Sequence, residues 1–222
     1  SKKYYKIAVE VTDAGAGILS SKVTAIYDVT TAGGYDLSAD KQRKAAEVLF
    51  ENNFSLTGEA DLAIRKTLTG NRAGVIRDGE FAFTGVLLSG VAENGVPETG
   101  KYTESQDGAG RLIRYASAMK DVPAADETQA SYQIRISYTD EDLTKQGRTD
   151  GTEVYWYRVT EDATKSSHVA VSAKEYFAKV TLTATASGIR TSVSWYEMGS
   201  SGKAVPTGGQ AAEFINAYTA SG

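Results

Sequence analysis

The sequence predicts an all-β protein, and two observations support that prediction. Tyrosine, threonine and valine are plentiful among the 222 residues, and 22 glycines punctuate the chain. This composition is typical of strands joined by turns. Several segments also alternate apolar and polar residues one by one, which is the pattern of a strand with one buried face.

The clearest alternation lies near the C-terminus, in residues 176–185 and 189–196. Val180, Leu182 and Ala184 share one face of the first segment, and Val193 and Trp195 share one face of the second. A short Ala-Ser-Gly segment separates the two. The pattern predicts a β-hairpin with one face in the core.

The N-terminal segment repeats this pattern around a glycine-rich turn at 13–17. Residues 5–11 and 23–27 predict a second hairpin, and residues 38–49 predict the one helix, with Ser38 as its N-cap. We expect the following side chains to form one apolar face that needs a cover: Tyr5, Ile7, Val9, Val11, Tyr27 and Phe50.

Charge and composition exclude some classes of function. The net charge is −4 and no basic stripe occurs, which disfavours a nucleic-acid partner. No apolar run is long enough to predict a membrane span. The chain has no cysteine, so a covalent link within a secreted β-protein of this kind must use chemistry other than a disulfide.

A motif of the form Phe-x-Asn-x-aromatic occurs twice, at 50–54 around Asn52 and at 214–218 around Asn216. In both places it follows strand, turn, strand and polar loop. We therefore interpret residues 1–57 as the C-terminal portion of one truncated repeat and residues 58–222 as one complete repeat. The first copy lacks the strands that would hold a partner for Asn52, which we expect to be an ordinary amide.

Three predicted strands each place one polar residue on an otherwise apolar face. Lys66 has the parity of Leu62, Ile64 and Leu68. Glu161 follows Tyr155, Tyr157 and Val159, and Asn216 lies between Phe214 and Tyr218 on one face. Buried charges are paired or neutralised, and burial lowers the pKa of a lysine and raises that of a glutamate. A neutral amine is a nucleophile and a carboxyl can shuttle protons.

Each of these residues alone has a simpler interpretation. An inward strand lysine is more often an edge residue whose stem snorkels to solvent. Glu161 could be a solvated strand end, and an asparagine such as Asn216 is more often a turn or capping residue. The prediction of a common site rests on the three occurring together and in this order.

That order resembles the isopeptide-linked, immunoglobulin-like repeats of Gram-positive major pilins and surface adhesins. The matching segments are 62–68, 79–84, 155–161 and 214–218. The resemblance implies an immunoglobulin-like β-sandwich in which Lys66 is the nucleophile, Asn216 the acceptor and Glu161 the catalytic acid and base. It also implies a cell-wall-anchored extracellular protein that assembles with other repeats or pilin subunits. The segment 85–127 is longer and looser than the resemblance leads us to expect.

The predicted function is a structural stalk repeat, with no enzyme activity beyond one self-directed cross-linking event. The alternative is an adhesin module that recognises a host glycan or protein through its loops. A hydrolase would need a nucleophile with a base, and His168 has no such context. Acidic loops at 126–127 and 140–142 are more typical of solvated surface than of a cation site. We therefore predict neither a metal nor a cofactor.

Overall fold

The computed structural model describes residues 2–13, 19–48, 55–70, 76–92, 95–121, 128–144, 151–162, 164–165 and 168–219. The chain divides into two compact units, Ser1–Phe54 and Ser55–Gly222. In both, the regular secondary structure of the described residues is almost all β-strand. The predicted all-β class is confirmed.

The N-terminal unit contains a three-stranded sheet in the order β1-β2-β5 and a small two-stranded ladder, β3-β4. The predicted N-terminal hairpin is present, with β1 and β2 antiparallel. Phe50 and Asn52 lie outside the described residues. The strands are β1 (Tyr5–Asp13), β2 (Leu19–Asp28), β3 (Thr30–Thr31), β4 (Gly34–Tyr35) and β5 (Arg43–Ala45).

A β-bulge in this hairpin changes which residues share a face. The register shifts so that Val9 pairs with Val23 while Ala8 pairs with Ala25, because Thr24 is inserted between the two pairs. Tyr27 therefore pairs with Lys6 and lies on the face opposite Ile7. The prediction that Tyr27 belongs to the apolar face is wrong, and Ile26, the partner of Ile7, takes that place.

The helix predicted for residues 38–49 is also wrong over the described part. Ala39–Lys41 form one turn of 3-10 helix, and Ser38 makes no side-chain capping bond to it. The next residues form β5, whose Ala45 pairs with Ile26 of β2. Pairing with an existing strand outweighs the weak helical preference of a short polar segment.

The C-terminal unit begins with a long strand and ends with a short one. One turn of 3-10 helix, Asp140–Leu143, follows β11. The strands are β6 (Thr57–Gly70), β7 (Phe83–Ser89), β8 (Thr103–Glu104), β9 (Arg114–Ala116), β10 (Ala118–Asp121), β11 (Gln129–Thr139), β12 (Thr152–Glu161), β13 (Glu175–Thr185), β14 (Gly188–Met198), β15 (Ala204–Pro206) and β16 (Ala212–Tyr218).

These strands form two sheets. The first has the order β10-β11-β6-β16, and the second has the order β15-β14-β13-β12-β7-β8, with β9 also pairing with β7. The predicted C-terminal hairpin is confirmed as β13 and β14, which join at a turn between Thr185 and Gly188. In the first sheet, β16 runs parallel to β6. The first strand of the unit and the last are therefore immediate neighbours.

The core lies between the two sheets, as in an immunoglobulin-like sandwich. Alternate residues of β6, β11, β12, β13 and β16 supply it. They include Leu62, Ile64, Ile134, Ile136, Tyr157, Val159, Val180, Leu182 and Phe214.

The segment that looked loose in the sequence builds a second, smaller core. Residues 91–92 and 95–102 lie against the outer face of the second sheet, where Val91, Val96 and Tyr102 pack on a buried cluster that includes Trp156 and Phe177. Strand β12 therefore has both faces covered. In the part of the chain that the structure describes, no helix has the length and apolarity to cross a membrane.

Candidate functional site

Lys66 is completely buried on β6. Leu62, Ile64 and Leu68 are buried on the same face, whereas Arg65 is exposed on the other, as the alternation predicts. Lys66 has an exposed fraction of 0%, so its side chain does not snorkel to solvent. An ammonium group with no access to water must be paired or lose its proton.

Asn216 approaches Lys66 from the neighbouring strand. Because β16 is parallel to β6, Phe214 pairs with Lys66 and Asn216 pairs with Leu68. Asn216 is only 4% exposed and Phe214 is fully buried. Asn216 is therefore an inward residue of the edge strand β16 and not a turn or cap.

Glu161 reaches the same place from the facing sheet. It is the last residue of β12, where it pairs with Phe83 of β7. Its exposed fraction is 6%, so this strand end is buried and not solvated. The sandwich thus brings the three predicted residues together from three strands and two sheets.

One carboxylate oxygen joins the other two side chains. Lys66 Nζ lies 2.6 Å from Glu161 Oε1, and Asn216 Nδ2 donates to Oε1 at 2.9 Å and to Oε2 at 3.0 Å. The backbone N–H of Ser172 donates to Oε2 at 2.8 Å. Asn216 Oδ1 is buried without a hydrogen-bond partner among the described residues.

The electrostatics of the site oppose a charged lysine. Burial lowers the pKa of Lys66 below its usual value, and the hydrogen bond and charge of Glu161 offset that effect only in part. The ring of Phe81 lies 4.5 Å from Nζ and closes the site on that side. The surroundings therefore favour loss of a proton from the Lys66 ammonium group. The neutral amine that remains is a nucleophile.

Sequence reasoning missed one contributor to this site and one buried carboxylate at the other end of β12. The Ser172 donor is a backbone group, which leaves no trace in a residue pattern. Glu153 is fully buried on the same face of β12 as Glu161, and neither carboxylate oxygen has a partner among the described residues. The position of Glu153 in the two-residue repeat of β12 indicates that its side chain points inward, as it does for Glu161.

The other polar groups considered from the sequence have structural roles. In the acidic segment 140–142, the carboxylate of Asp142 accepts a hydrogen bond from the backbone N–H of Thr139 at 2.8 Å and so caps the 3-10 turn. His168 is exposed in a left-handed conformation (φ 67°) beside the ring of Tyr218. The described residues contain no group of acidic, histidine or cysteine side chains that could hold a metal ion.

A buried Lys-Glu-Asn set between the two sheets of an immunoglobulin-like sandwich defines the class of isopeptide-containing surface domains. The chain belongs to the family described as the Spy0128-like isopeptide containing domain, FctA, whose model matches residues 62–219. The second unit is thus a pilin-type isopeptide domain. No curated protein is similar enough to the chain to count as a match.

Proposed function

We propose that Lys66 and Asn216 become joined by a spontaneous isopeptide bond promoted by Glu161, and that the domain is a structural repeat of a Gram-positive surface pilin or adhesin. The observation that supports this most strongly is the shared carboxylate. Both reacting side chains place a nitrogen within 3.0 Å of Glu161 Oε1 in a buried site. Such positioning replaces the improbable encounter of an amine with an unactivated amide.

The reaction begins with transfer of a proton from the Lys66 ammonium to the Glu161 carboxylate. The carboxyl then acts as a donor, and a half-turn of the Asn216 carboxamide about Cβ–Cγ brings Oδ1 to the position that Nδ2 occupies. A hydrogen bond from Glu161 to Oδ1 polarises the carbonyl and stabilises the negative charge that develops during attack. Oδ1 is free to make it, because it has no other partner among the described residues.

The bond from Lys66 Nζ to Asn216 Cγ then forms and the bond from Cγ to Nδ2 breaks. Glu161 carries a proton from the attacking nitrogen to the departing one. An ammonium and a carboxamide are converted into a secondary amide and an ammonium ion, so atoms and charge balance. Glu161 returns to its initial state after a single turnover.

The bond would connect the first strand of the unit to the last across 150 residues, from position 66 to position 216. By the loop-closure argument used for disulfides, a cross-link of that span stabilises the folded state by about 5 kcal/mol. Tension applied at the two ends would pass through a covalent bond between β6 and β16 instead of separating their hydrogen bonds. The bond also resists reduction, which suits an exposed extracellular stalk.

The surface of this unit favours a stalk role over a ligand-binding role. A glycan- or protein-binding module would present aromatic side chains on its loops. Among the described residues of the second unit, the exposed large apolar side chains are aliphatic: Val171, Val205 and Ile215. We therefore propose other subunits of the same surface protein as the main partners and the cell wall as the site of anchoring.

Intact mass tests the proposal directly. Loss of ammonia makes the purified chain lighter than its sequence mass by about 17 Da, a covalent change that no conformational change can imitate. Proteolysis should then yield a branched peptide that contains both Lys66 and Asn216. An unmodified mass for the folded chain would rule out the cross-link.

A further inference from the structure

Bond formation at this site releases ammonia into a closed core. This inference rests on the proposed cross-link, because only that reaction produces ammonia here. Lys66, Glu161 and Asn216 are all at least 94% buried. While ammonia stays beside the new bond, the reaction can reverse, since the exchange of one amide for another changes little in free energy. The product therefore needs a route to solvent.

A surface cleft lies next to the site. Its volume is about 350 Å³, which is ample for a molecule the size of water or ammonia. Phe81 and Tyr132 form part of its wall. Other residues that line it are Asp78, Glu80, Ala82, Ser117, Ala118 and Lys165.

Phe81 belongs to both the cleft and the reaction site. Its ring lies 4.5 Å from Lys66 Nζ, and the same residue lines the cleft. Phe81 is in the irregular segment before β7, where Gly79 adopts a left-handed conformation (φ 71°). One aromatic ring on a segment outside the sheet ladders therefore separates the amine from the cleft.

Tyr132 lines the same cleft and carries a hydroxyl group. It lies on β11, where Ala130 pairs with Lys66, so Tyr132 is the diagonal neighbour of Lys66 on the core face. Its ring packs edge-on against Phe83 at 5.0 Å between centroids. The hydroxyl is buried without a hydrogen-bond partner among the described residues. A buried donor without an acceptor is costly, so its presence in the core requires an explanation.

The charges around Tyr132 keep its hydroxyl protonated. Burial raises the pKa of Tyr132, and the carboxylates of Glu80, Asp78 and Glu161 raise it further. Two of these carboxylates belong to the cleft and the third belongs to the reaction site. Tyr132 lines the cleft and is the diagonal neighbour of Lys66 on the core face, so it lies between the two regions, and its hydroxyl remains a protonated donor.

We infer that ammonia leaves the site past Phe81 and Tyr132 into the cleft. The Tyr132 hydroxyl donates a hydrogen bond to the lone pair of ammonia as it departs from Asn216. The Phe81 ring moves aside and then closes the site again, which keeps water from the reacting amine. In the cleft, ammonia takes up the proton that Lys66 gave to Glu161, by way of water, and Asp78 and Glu80 attract the resulting ammonium ion. Lys165 opposes that attraction and hastens release to solvent.

Filling the cleft tests the route without altering the reacting groups. The full chain is made by cell-free synthesis, aliquots are quenched in acidic denaturant, and the mass deficit is followed with time. Ala82→Trp and Ala118→Trp change exposed residues that line the cleft. We expect both to slow cross-linking by about threefold or more, because product release becomes limiting. Ala109→Trp, in an exposed turn elsewhere in the unit, should react at the wild-type rate.

A pair of tyrosine variants tests the hydroxyl. Tyr132→Phe removes an unpartnered hydroxyl, so it should slow cross-linking by about threefold or more without lowering thermal stability. Tyr138→Phe removes a hydroxyl that bonds to Tyr157 at 2.8 Å, so it should reduce stability without changing the rate.

Equal rates for the cleft-filling variants and Ala109→Trp would overturn the exit route. A wild-type chain that never loses mass would instead overturn the cross-link itself.

Discussion

Lys66 and Asn216 lie on adjacent parallel strands taken from the beginning and the end of the second unit, and their side-chain nitrogens meet at one oxygen of Glu161. The distances are 2.6 Å from Lys66 Nζ and 2.9 Å from Asn216 Nδ2. Parallel pairing of the first and last strands makes this possible, since residues far apart in sequence become diagonal neighbours. A bond at this point closes nearly the whole unit into one covalent loop.

The first prediction concerns the role of Glu161. Glu161→Ala should give a folded chain with no mass deficit, because Lys66 and Asn216 supply the atoms of the bond while Glu161 moves the protons. Intact mass and circular dichroism check the two parts of this expectation. Glu213→Ala is a suitable control, because it removes an exposed carboxylate from β16 and should leave the deficit of about 17 Da intact. A full deficit in Glu161→Ala would assign the acid and base role to another group.

The second prediction concerns pH in the unreacted protein, for which Asn216→Ala removes the acceptor. The pKa of Lys66 is lowered in the folded state from its usual 10.5, first by burial. Between that lowered pKa and 10.5 the unfolded chain binds more protons than the folded chain. The free energy of unfolding should therefore rise with pH across this range and level off below the folded pKa and above 10.5.

Wild-type protein supplies the control for this titration. Once Lys66 is part of an amide it no longer takes up a proton, so its contribution to the pH dependence disappears. The difference between the urea-unfolding free energies of Asn216→Ala and of wild type should therefore narrow as the pH rises toward 10.5. A constant difference would show that Lys66 does not change its protonation on folding.

The third prediction concerns Glu153. Its carboxylate is completely buried, and neither oxygen has a partner among the described residues. Replacing an uncompensated buried ionisable group with an apolar one of similar volume is often stabilising, so Glu153→Leu should raise the free energy of unfolding by about 1–4 kcal/mol. Urea denaturation is the measurement. Glu197→Leu, at an exposed position of β14, should change stability little, and a loss of stability in Glu153→Leu would reveal a partner for the carboxylate.

The fourth prediction concerns the apolar face of the N-terminal hairpin. Ile7, Val9 and Val11 are 48%, 52% and 60% exposed, and contiguous exposed apolar residues promote association. Val9→Lys combined with Val11→Lys should therefore weaken concentration-dependent self-association in sedimentation experiments. Thr12→Lys adds a positive charge to the other face of the same strand and should have no such effect. Equal association of both proteins would mean that this face is not the interacting surface.

Strand parity was predictable from the sequence for the long strands of the second unit. Alternation along β6, β12 and β16 placed Lys66, Glu161 and Asn216 on inward faces, and the structure buries all three. Parity depends only on the two-residue repeat of a strand, so it is a local property of the chain. The same argument failed for Tyr27, because a bulge adds a residue and exchanges the two faces.

The helix expected after Ser38 failed for a different reason. Many of its residues are good helix formers, but a helix this short is only marginally stable by itself, and pairing of β5 with β2 decides the conformation. Partner strands cannot be identified from a single short segment, since hydrogen bonding between strands depends on residues far away in the sequence. The Ser172 N–H that donates to Glu161 could not be identified from the sequence either, because every residue type except proline offers a backbone donor.

Glu153 and Glu161 illustrate the difference between what the sequence determines and what the tertiary structure decides. Both occupy the inward face of β12, about 26 Å apart along the strand at roughly 3.3 Å per residue, and parity treats them alike. The sequence by itself determined that each would point into the core. Only the packing of the facing sheet brings Lys66 and Asn216 to Glu161, because the registers of β6, β16 and β12 are set by contacts between segments separated by up to 150 residues.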